Sequence, residues 1–219
     1  MKKLLNFGVL FSIALFFNSC FVDRISGSGR IISESRTINN PNFTEIRMEG
    51  SMDVLIKQGD SVKIVAKDFE NILAYIETRV VGNALVITYR DHTWLTNTAG
   101  EVTVTLPKLT NVELTGSGNI GTVGSFNFDD IGMLISGSGD FSFAGTAKNL
   151  NARVSGSGDI RAYNLICDTA KVKISGSGDM QLNVLRQLDA TISGSGDIVY
   201  KGTPSVNTSV TGSGRVRKF

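Results

Sequence analysis

Histidine, tryptophan and cysteine are almost missing from this sequence of 219 residues, and their scarcity excludes several kinds of site. The chain has one histidine, His92, one tryptophan, Trp94, and two cysteines, Cys20 and Cys167. A lone histidine without a cysteine pair does not make a histidine-based metal site. We therefore expect no metal ion and no other cofactor. We expect Cys167 to fill space in the core as a small apolar side chain.

An excess of one charge is also lacking once the N-terminal segment is set aside. The chain has 22 lysines and arginines and 20 acidic residues, and two of the lysines, Lys2 and Lys3, precede residue 20. Subtracting 2 from 22 leaves 20 basic residues against 20 acidic ones. Nucleic-acid-binding domains carry a basic surface, so we expect no nucleic acid partner.

The N-terminal segment has the layout of a secretion signal. Two lysines precede an apolar run over residues 4–17, which is too short and wrongly flanked for a spanning helix. The run ends at Asn18, Ser19 and Cys20, which resembles a lipobox, the pattern in which the cysteine is acylated and the chain is cut before it. We predict a signal peptide over residues 1–19 and lipidation at Cys20.

A lipid on Cys20 would make the membrane a partner, with residues 20–27 as a short tether. Phe17 departs from the aliphatic residue that usually stands three positions before the cysteine. An ordinary signal peptide with an incidental cysteine is the alternative. Either way, the protein is exported.

Self-similarity is the most informative feature of the rest of the chain. From residue 116 onward a Gly-Ser-Gly triplet recurs at intervals of 21, 19, 20, 18 and 18 residues. A period of about 20 residues fits the coils of a parallel β-helix and is too short for a propeller blade. The triplets begin at residues 27, 116, 137, 156, 176, 194 and 212.

Apolar residues alternate with polar ones on both sides of each triplet, which predicts strands with one buried face. A single unit cannot bury that face, but stacked units form a continuous core. We predict a column made by Leu114, Ile135, Val154, Ile174 and Ile192. The fold class is therefore an all-β solenoid, with a regular part over residues 110–219. Short hairpins stacked into a sandwich are the alternative.

The region over residues 28–109 is β-rich but less regular. Residues 49–54 look like a degenerate copy of the repeat, and Asp68 to Ile76 have the spacing of one short helix, with Asp68 as its cap. At the other end, the last copy has Arg215 where the other copies from residue 116 onward have aspartate or asparagine. We expect Thr211 to Phe219 to close the stack, with Arg215 above Asp197 to relieve its charge, and a basic tail with no fixed structure is the alternative.

These segments together resemble the head GIN domain family, described as autotransporter adhesins. The resemblance rests on Asn-Phe-Thr-Glu-Ile at 42–46, Gly-Ser-Met-Asp-Val at 50–54, Gly-Asn-Ala-Leu-Val-Ile at 82–87 and the serial Ser-Gly-Ser-Gly-Asp units, and it covers about residues 25 to 219. It implies a right-handed β-helix and a lipoprotein of a Gram-negative envelope, which points to the outer membrane. It implies no catalytic residues.

The residues that follow the triplets form the first candidate site. They are Asn119, Asp140, Asp159, Asp179 and Asp197. Stacked carboxylates repel one another unless something intervenes. Calcium is one possibility, but the aspartate stands in the wrong register for the known calcium-binding repeat. The simpler expectation is that each side chain accepts hydrogen bonds from turn amides.

A second candidate is the segment that contains Arg90, His92 and Trp94. As a loop it combines an aromatic plate with charged neighbours, which suits contact with a sugar or a peptide. The alternative is a hairpin end that packs on the next coil. The repeated serines are not nucleophile candidates, because no histidine lies near them to act as a base.

The sequence therefore favours a non-enzymatic adhesion or ligand-binding module, with a glycan or an envelope protein as its partner. An envelope structural or assembly role is the second hypothesis. A polysaccharide-active enzyme is the third, by analogy with other β-helices alone. Such chemistry needs paired acids, or an acid beside basic groups in a groove, and the sequence shows no such cluster.

Overall fold

The structure, a computed structural model, describes residues 24–39, 41–90 and 94–219. In these ranges the chain is all-β apart from one 3-10 turn at Leu73–Tyr75. The strands are β1 (Arg24–Ser26), β2 (Ile31–Arg36), β3 (Glu45–Gly50), β4 (Asp53–Gln58), β5 (Lys63–Phe69), β6 (Ile76–Val81), β7 (Ala84–Tyr89), β8 (Trp94–Thr96), β9 (Glu101–Leu106), β10 (Asn111–Gly116), β11 (Ile120–Thr122), β12 (Phe126–Asn127), β13 (Asp130–Gly137), β14 (Phe141–Gly156), β15 (Ile160–Gly176), β16 (Met180–Gly194), β17 (Ile198–Lys201), β18 (Ser205–Gly212) and β19 (Val216–Lys218).

The regular part is a stack of parallel coils, which confirms the predicted β-solenoid. Strands β10, β13, β14, β15, β16 and β18 pair in this order, all parallel, with the glycines that open each triplet in register. The predicted column is also confirmed. Leu114, Ile135, Val154, Ile174 and Ile192 are register partners and almost fully buried.

The corners of the coils require glycine for two reasons. Gly156 has a φ of 130°, a backbone conformation that other residues rarely adopt. A Cβ atom there would also lie 2.2 Å from the carbonyl oxygen of Gly137 in the neighbouring coil. The next residue can carry a side chain. Ser157 donates its backbone N–H to the same oxygen, and its side chain is exposed.

The stack continues into the less regular N-terminal region. Gly50 pairs with Gly116 and Val54 pairs with Ile120, so the segment at 49–54 is a true copy of the corner. The next layer comes from later in the chain, because β7 lies parallel to β3 and β9 lies parallel to β4. Sequence order and stacking order therefore differ in this region.

Antiparallel strands cover this end of the stack. β6 pairs with β7, β5 pairs with β9, and β2 pairs with β5. Most of the helix predicted over Asp68 to Ile76 is absent, since β5 runs through Phe69 and only Leu73–Tyr75 form a 3-10 turn. The inward alternation of Ile64, Ala66 and Asp68 along β5 outweighs the helical spacing.

The opposite end is less well covered than expected. The segment Thr211 to Phe219 does continue the last coil, but all eight residues of β18 are exposed. Val210 extends the core column above Ile192 and is still 43% exposed. The segment is therefore the last coil of the stack, as predicted, and it covers the coil before it, since Ile192 is 1% and Ile198 0% exposed. In the described part of the chain, no further coil lies over the apolar side chains of β18.

Candidate ligand-binding surface

The residues after the triplets form a hydrogen-bonded ladder along one corner of the solenoid. The Asp159 N–H donates to Asp140 Oδ1 at 2.9 Å, and the Asp179 N–H donates to Asp159 Oδ1 at 2.9 Å. Each aspartate of the regular repeats thus accepts a hydrogen bond from a backbone N–H of the next coil, as the simpler expectation proposed. The turn ladder, as we call it, consists of Asp53, Asn119, Asp140, Asp159, Asp179, Asp197 and Arg215.

At each end of the turn ladder, an aspartate is paired with a residue that is not acidic. Asn119 donates to Asp53 Oδ1 through both its backbone N–H (3.1 Å) and Nδ2 (2.9 Å). Arg215 donates its backbone N–H to Asp197 Oδ1 at 2.8 Å. The contact expected between Arg215 and Asp197 is therefore made by the main chain.

One arginine neutralises part of the turn ladder. Arg161 contacts Asp140 Oδ2 at 2.8 Å and Asp159 Oδ2 at 3.1 Å, so it bridges two neighbouring carboxylates. This contact relieves the repulsion that the sequence suggested. Over residues 24–39, 41–90 and 94–219, no group of three or more histidine, cysteine or acidic residues is placed to hold a metal ion.

A groove of about 380 Å³ crosses several coils on the outer surface, from the start of β13 across the middle of β14, β15 and β16. Its polar lining comes from outward positions that the repeat places in adjacent coils. We call this surface the coil groove. Its polar residues are Asp130, Asn149, Asn151, Thr169, Lys171, Gln187 and Asp189.

Side-chain hydrogen bonds fix the floor of the coil groove. Asn149 donates from Nδ2 to Asp130 Oδ1 at 2.6 Å and accepts from the Thr169 hydroxyl at 2.6 Å. Gln187 donates to Asp189 at 2.8 Å. The bonds of Asn149 run from coil to coil and that of Gln187 stays within one coil, so the groove presents a row of oriented polar side chains. The sequence analysis missed it, although the shared register of 130, 149, 169 and 187 within the repeats was a usable signal.

The structure places Trp94 and Arg90 in different surroundings. Trp94 lies on β8, is 59% exposed, and has the Arg24 guanidinium 5.8 Å from its ring centre. Arg90 contacts Glu77 Oε1 at 3.1 Å and lies over the Tyr75 ring at 5.5 Å. His92 lies outside the described residues. The combined site of Arg90, His92 and Trp94 remains a prediction.

A buried carboxylate holds the segment that follows Trp94. Asp68 is fully buried and accepts hydrogen bonds from the backbone N–H of Phe69 (2.7 Å) and of Ala99 (2.8 Å). The Tyr89 hydroxyl donates to its other oxygen at 2.9 Å. Burial, with the nearby Asp68 charge, raises the pKa of Tyr89 well above its usual value. Asp68 is therefore an internal anchor and not the helix cap predicted from the sequence.

Of the two cysteines, the structure describes only Cys167. Cys167 is buried and free, as predicted, and donates weakly to the Asn183 carbonyl oxygen at 3.3 Å. Burial raises the pKa of its thiol to about 12. Cys20, the predicted lipidation site, lies outside the described residues. No helix in the described ranges has the length and apolarity needed to cross a membrane.

The stacked parallel coils, with buried apolar columns and polar outer rows, define a β-solenoid. The chain belongs to the head GIN domain family. The profile of that family, described as "Putative auto-transporter adhesin, head GIN domain", matches residues 42–204. The match confirms the resemblance to this family that the sequence motifs indicated. A comparison with curated proteins gave no significant match.

Solved structures share the fold. A "putative adhesin" from Bacteroides fragilis is 23% identical with a TM-score of 0.73, over 89% of this chain and 100% of that one. A "putative lipid binding protein" from Parabacteroides distasonis is 25% identical with a TM-score of 0.54, over 90% and 100%. A "putative adhesin" from Parabacteroides merdae is 21% identical with a TM-score of 0.52, over 90% and 99%. These structural similarities show that the chain shares their fold.

Proposed function

We propose that the protein is a cell-envelope lipoprotein that acts as an adhesion module and binds a ligand in the coil groove. Cys20 would carry the lipid on the outer membrane of a Gram-negative bacterium. The family and two of the three structural relatives are described as adhesins, and the third as a lipid binding protein, which supports a binding role over an enzymatic one.

The observation that carries the proposal is the row of oriented polar groups in the coil groove. Asn149, Thr169 and Gln187 stand in adjacent coils, which are spaced by about 4.8 Å. An extended ligand with many hydroxyl or amide groups would use the remaining hydrogen-bonding capacity of these side chains, one coil at a time. We therefore propose an oligosaccharide as the ligand, with an extended segment of an envelope protein as the second candidate.

Binding to arrayed oligosaccharides and to envelope proteins tests this proposal, with residues 21–219 as the probe. For any ligand found, Lys171→Ala should weaken binding about tenfold, which corresponds to about 1.4 kcal/mol. Lys173→Ala is the matched control, because Lys173 is the next outward position of the same strand and lies outside the groove lining. Equal effects of the two changes would contradict the coil groove as the binding surface.

The segment with Arg90, His92 and Trp94 stays a second proposed contact surface. Its exposed aromatic ring and its cations differ in chemistry from the coil groove. Trp94→Ala in the same binding assay separates the two surfaces, since it removes the ring and leaves the groove unchanged.

A further inference from the structure

Trp94 lies close to the point where the predicted lipid enters the chain. β1 begins at Arg24, four positions after Cys20, and four residues span at most about 14 Å. Arg24 and Trp94 are register partners in the parallel pair β1–β8, which sets their Cα atoms about 4.8 Å apart. An acylated Cys20 therefore keeps the Trp94 backbone within about 19 Å of the lipid-bearing residue.

Two hydrogen bonds hold the ends of β1 and β8 together, and a third, from Asn71 in the turn after β5, ties the pair to the body of the solenoid. The Gly27 N–H donates to the Thr96 carbonyl oxygen at 2.8 Å, and Asn97 Nδ2 donates back to the Gly27 carbonyl oxygen at 2.8 Å. Asn71 Nδ2 donates to the Ser26 carbonyl oxygen at 2.9 Å. These bonds fix the position of the β1–β8 pair, which we call the tip, so the fold sets the direction in which Trp94 points.

The exposed groups at this tip have the chemistry of a membrane interface. Tryptophan concentrates at the level of lipid headgroups, where its ring is partly apolar and its N–H can be solvated. Trp94 is 59% exposed, and the Arg24 guanidinium beside it is a donor for lipid phosphates. Ile31, which opens β2 just after the tip, is 49% exposed.

We propose that Trp94 and Arg24 form a contact with the surface of an anionic bilayer, beside the lipid on Cys20. The indole would lie among the headgroups, and Arg24 would contact lipid phosphates. The contact would hold the covered end of the solenoid against the membrane and direct the coil groove and β18 away from that point. This inference rests on the lipid anchor of the proposed function.

The fluorescence of Trp94 tests this inference, because the chain contains no other tryptophan. The full chain is expressed with its signal, purified in detergent, checked for acylation by mass spectrometry, and reconstituted into vesicles of phosphatidylethanolamine and phosphatidylglycerol. We expect the emission to shift to shorter wavelength relative to detergent-free protein lacking the lipid, and to be mostly lost when part of the lipid carries brominated chains.

Arg24→Gln should reduce both effects in vesicles that contain phosphatidylglycerol. Arg153→Gln is the matched control and should leave them unchanged, because Arg153 is an exposed arginine of β14 in a coil remote from β1.

Three results would contradict the inference in different ways. In the first, the protein is acylated and bound to vesicles, but Trp94 emits at the wavelength typical of water and brominated lipid does not quench it. This result overturns the membrane contact and leaves the lipid anchor unaffected. The same emission together with a response to added oligosaccharide assigns Trp94 to ligand binding. A protein without any acyl group contradicts the lipid anchor itself and overturns the inference with it.

Discussion

Residues on the two faces of one strand have opposite surroundings in this solenoid. Ile174 is fully buried between Val154 and Ile192, and the adjacent Lys173 is exposed. Neighbouring coils fix the space around Ile174 from both sides, so a smaller side chain leaves a cavity that cannot easily close. The loss of stability caused by truncating a side chain should therefore alternate between large and small with a period of two along each strand.

Ile174→Ala tests this alternation. We expect a loss of about 2–4 kcal/mol in the free energy of unfolding, from lost burial and the cavity left behind. Lys173→Ala should change stability by less than about 0.5 kcal/mol, as exposed substitutions usually do. Urea unfolding followed by circular dichroism measures both, and comparable losses would contradict the assigned facing.

Cys167 offers a test of burial by chemistry. Its thiol pKa is raised to about 12 by burial, so the thiol stays protonated and unreactive at neutral and mildly alkaline pH. In a Cys20→Ala chain, where Cys167 is the only thiol, we expect no alkylation by iodoacetamide at pH 8 in buffer. Full alkylation should follow in denaturant. Rapid labelling of the folded chain would show that the coil around Cys167 opens readily.

Between coils, the turn ladder acts as a repeated element. Asp159 accepts the Asp179 N–H at 2.9 Å and contacts Arg161 at 3.1 Å. Asp159→Ala removes the acceptor and leaves the exposed Asp179 N–H to water, so we expect a loss of about 0.5–1.5 kcal/mol. Asp159→Asn keeps an oxygen in the same place and should lose less. Melting temperatures rank the variants, and equal losses would show that the hydrogen bond to Asp179 is unimportant.

The repeat made most of the regular elements predictable. A period near 20 residues and an alternation of two fixed the parallel coils, the Leu114–Ile192 column and the copy at Gly50. These features depend on local spacing, which a single sequence displays. The turn ladder followed from the same register, because equivalent residues of stacked coils lie one above another.

Elements outside the repeat were harder to predict, for identifiable physical reasons. The spacing of Phe69, Ile72 and Leu73 fits a helix, but tertiary pairing of β5 with β2 and β9 prevails. The place of β7 beside β3 and of β9 beside β4 depends on long-range pairing that no local pattern records. Asp68 was missed as an internal anchor because its partner Tyr89 is 21 positions away.

Viewed whole, the molecule has two unlike ends. Antiparallel strands cover the end near Arg24, and the far end presents β18 with Val206 and Val210 partly exposed. A lipid on Cys20 would attach the covered end to the membrane and leave the coil groove accessible along the side. This arrangement suits a protein that binds ligands from a fixed point on the envelope.

The anchor is the central claim at this scale, and incorporation of a labelled fatty acid into the protein in growing cells tests it most directly. We expect the wild-type chain to take up the label and to fractionate with membranes. Cys20→Ala should abolish labelling and leave the chain unprocessed or released from the membrane. A wild-type protein that matures without taking up any labelled fatty acid would contradict the account.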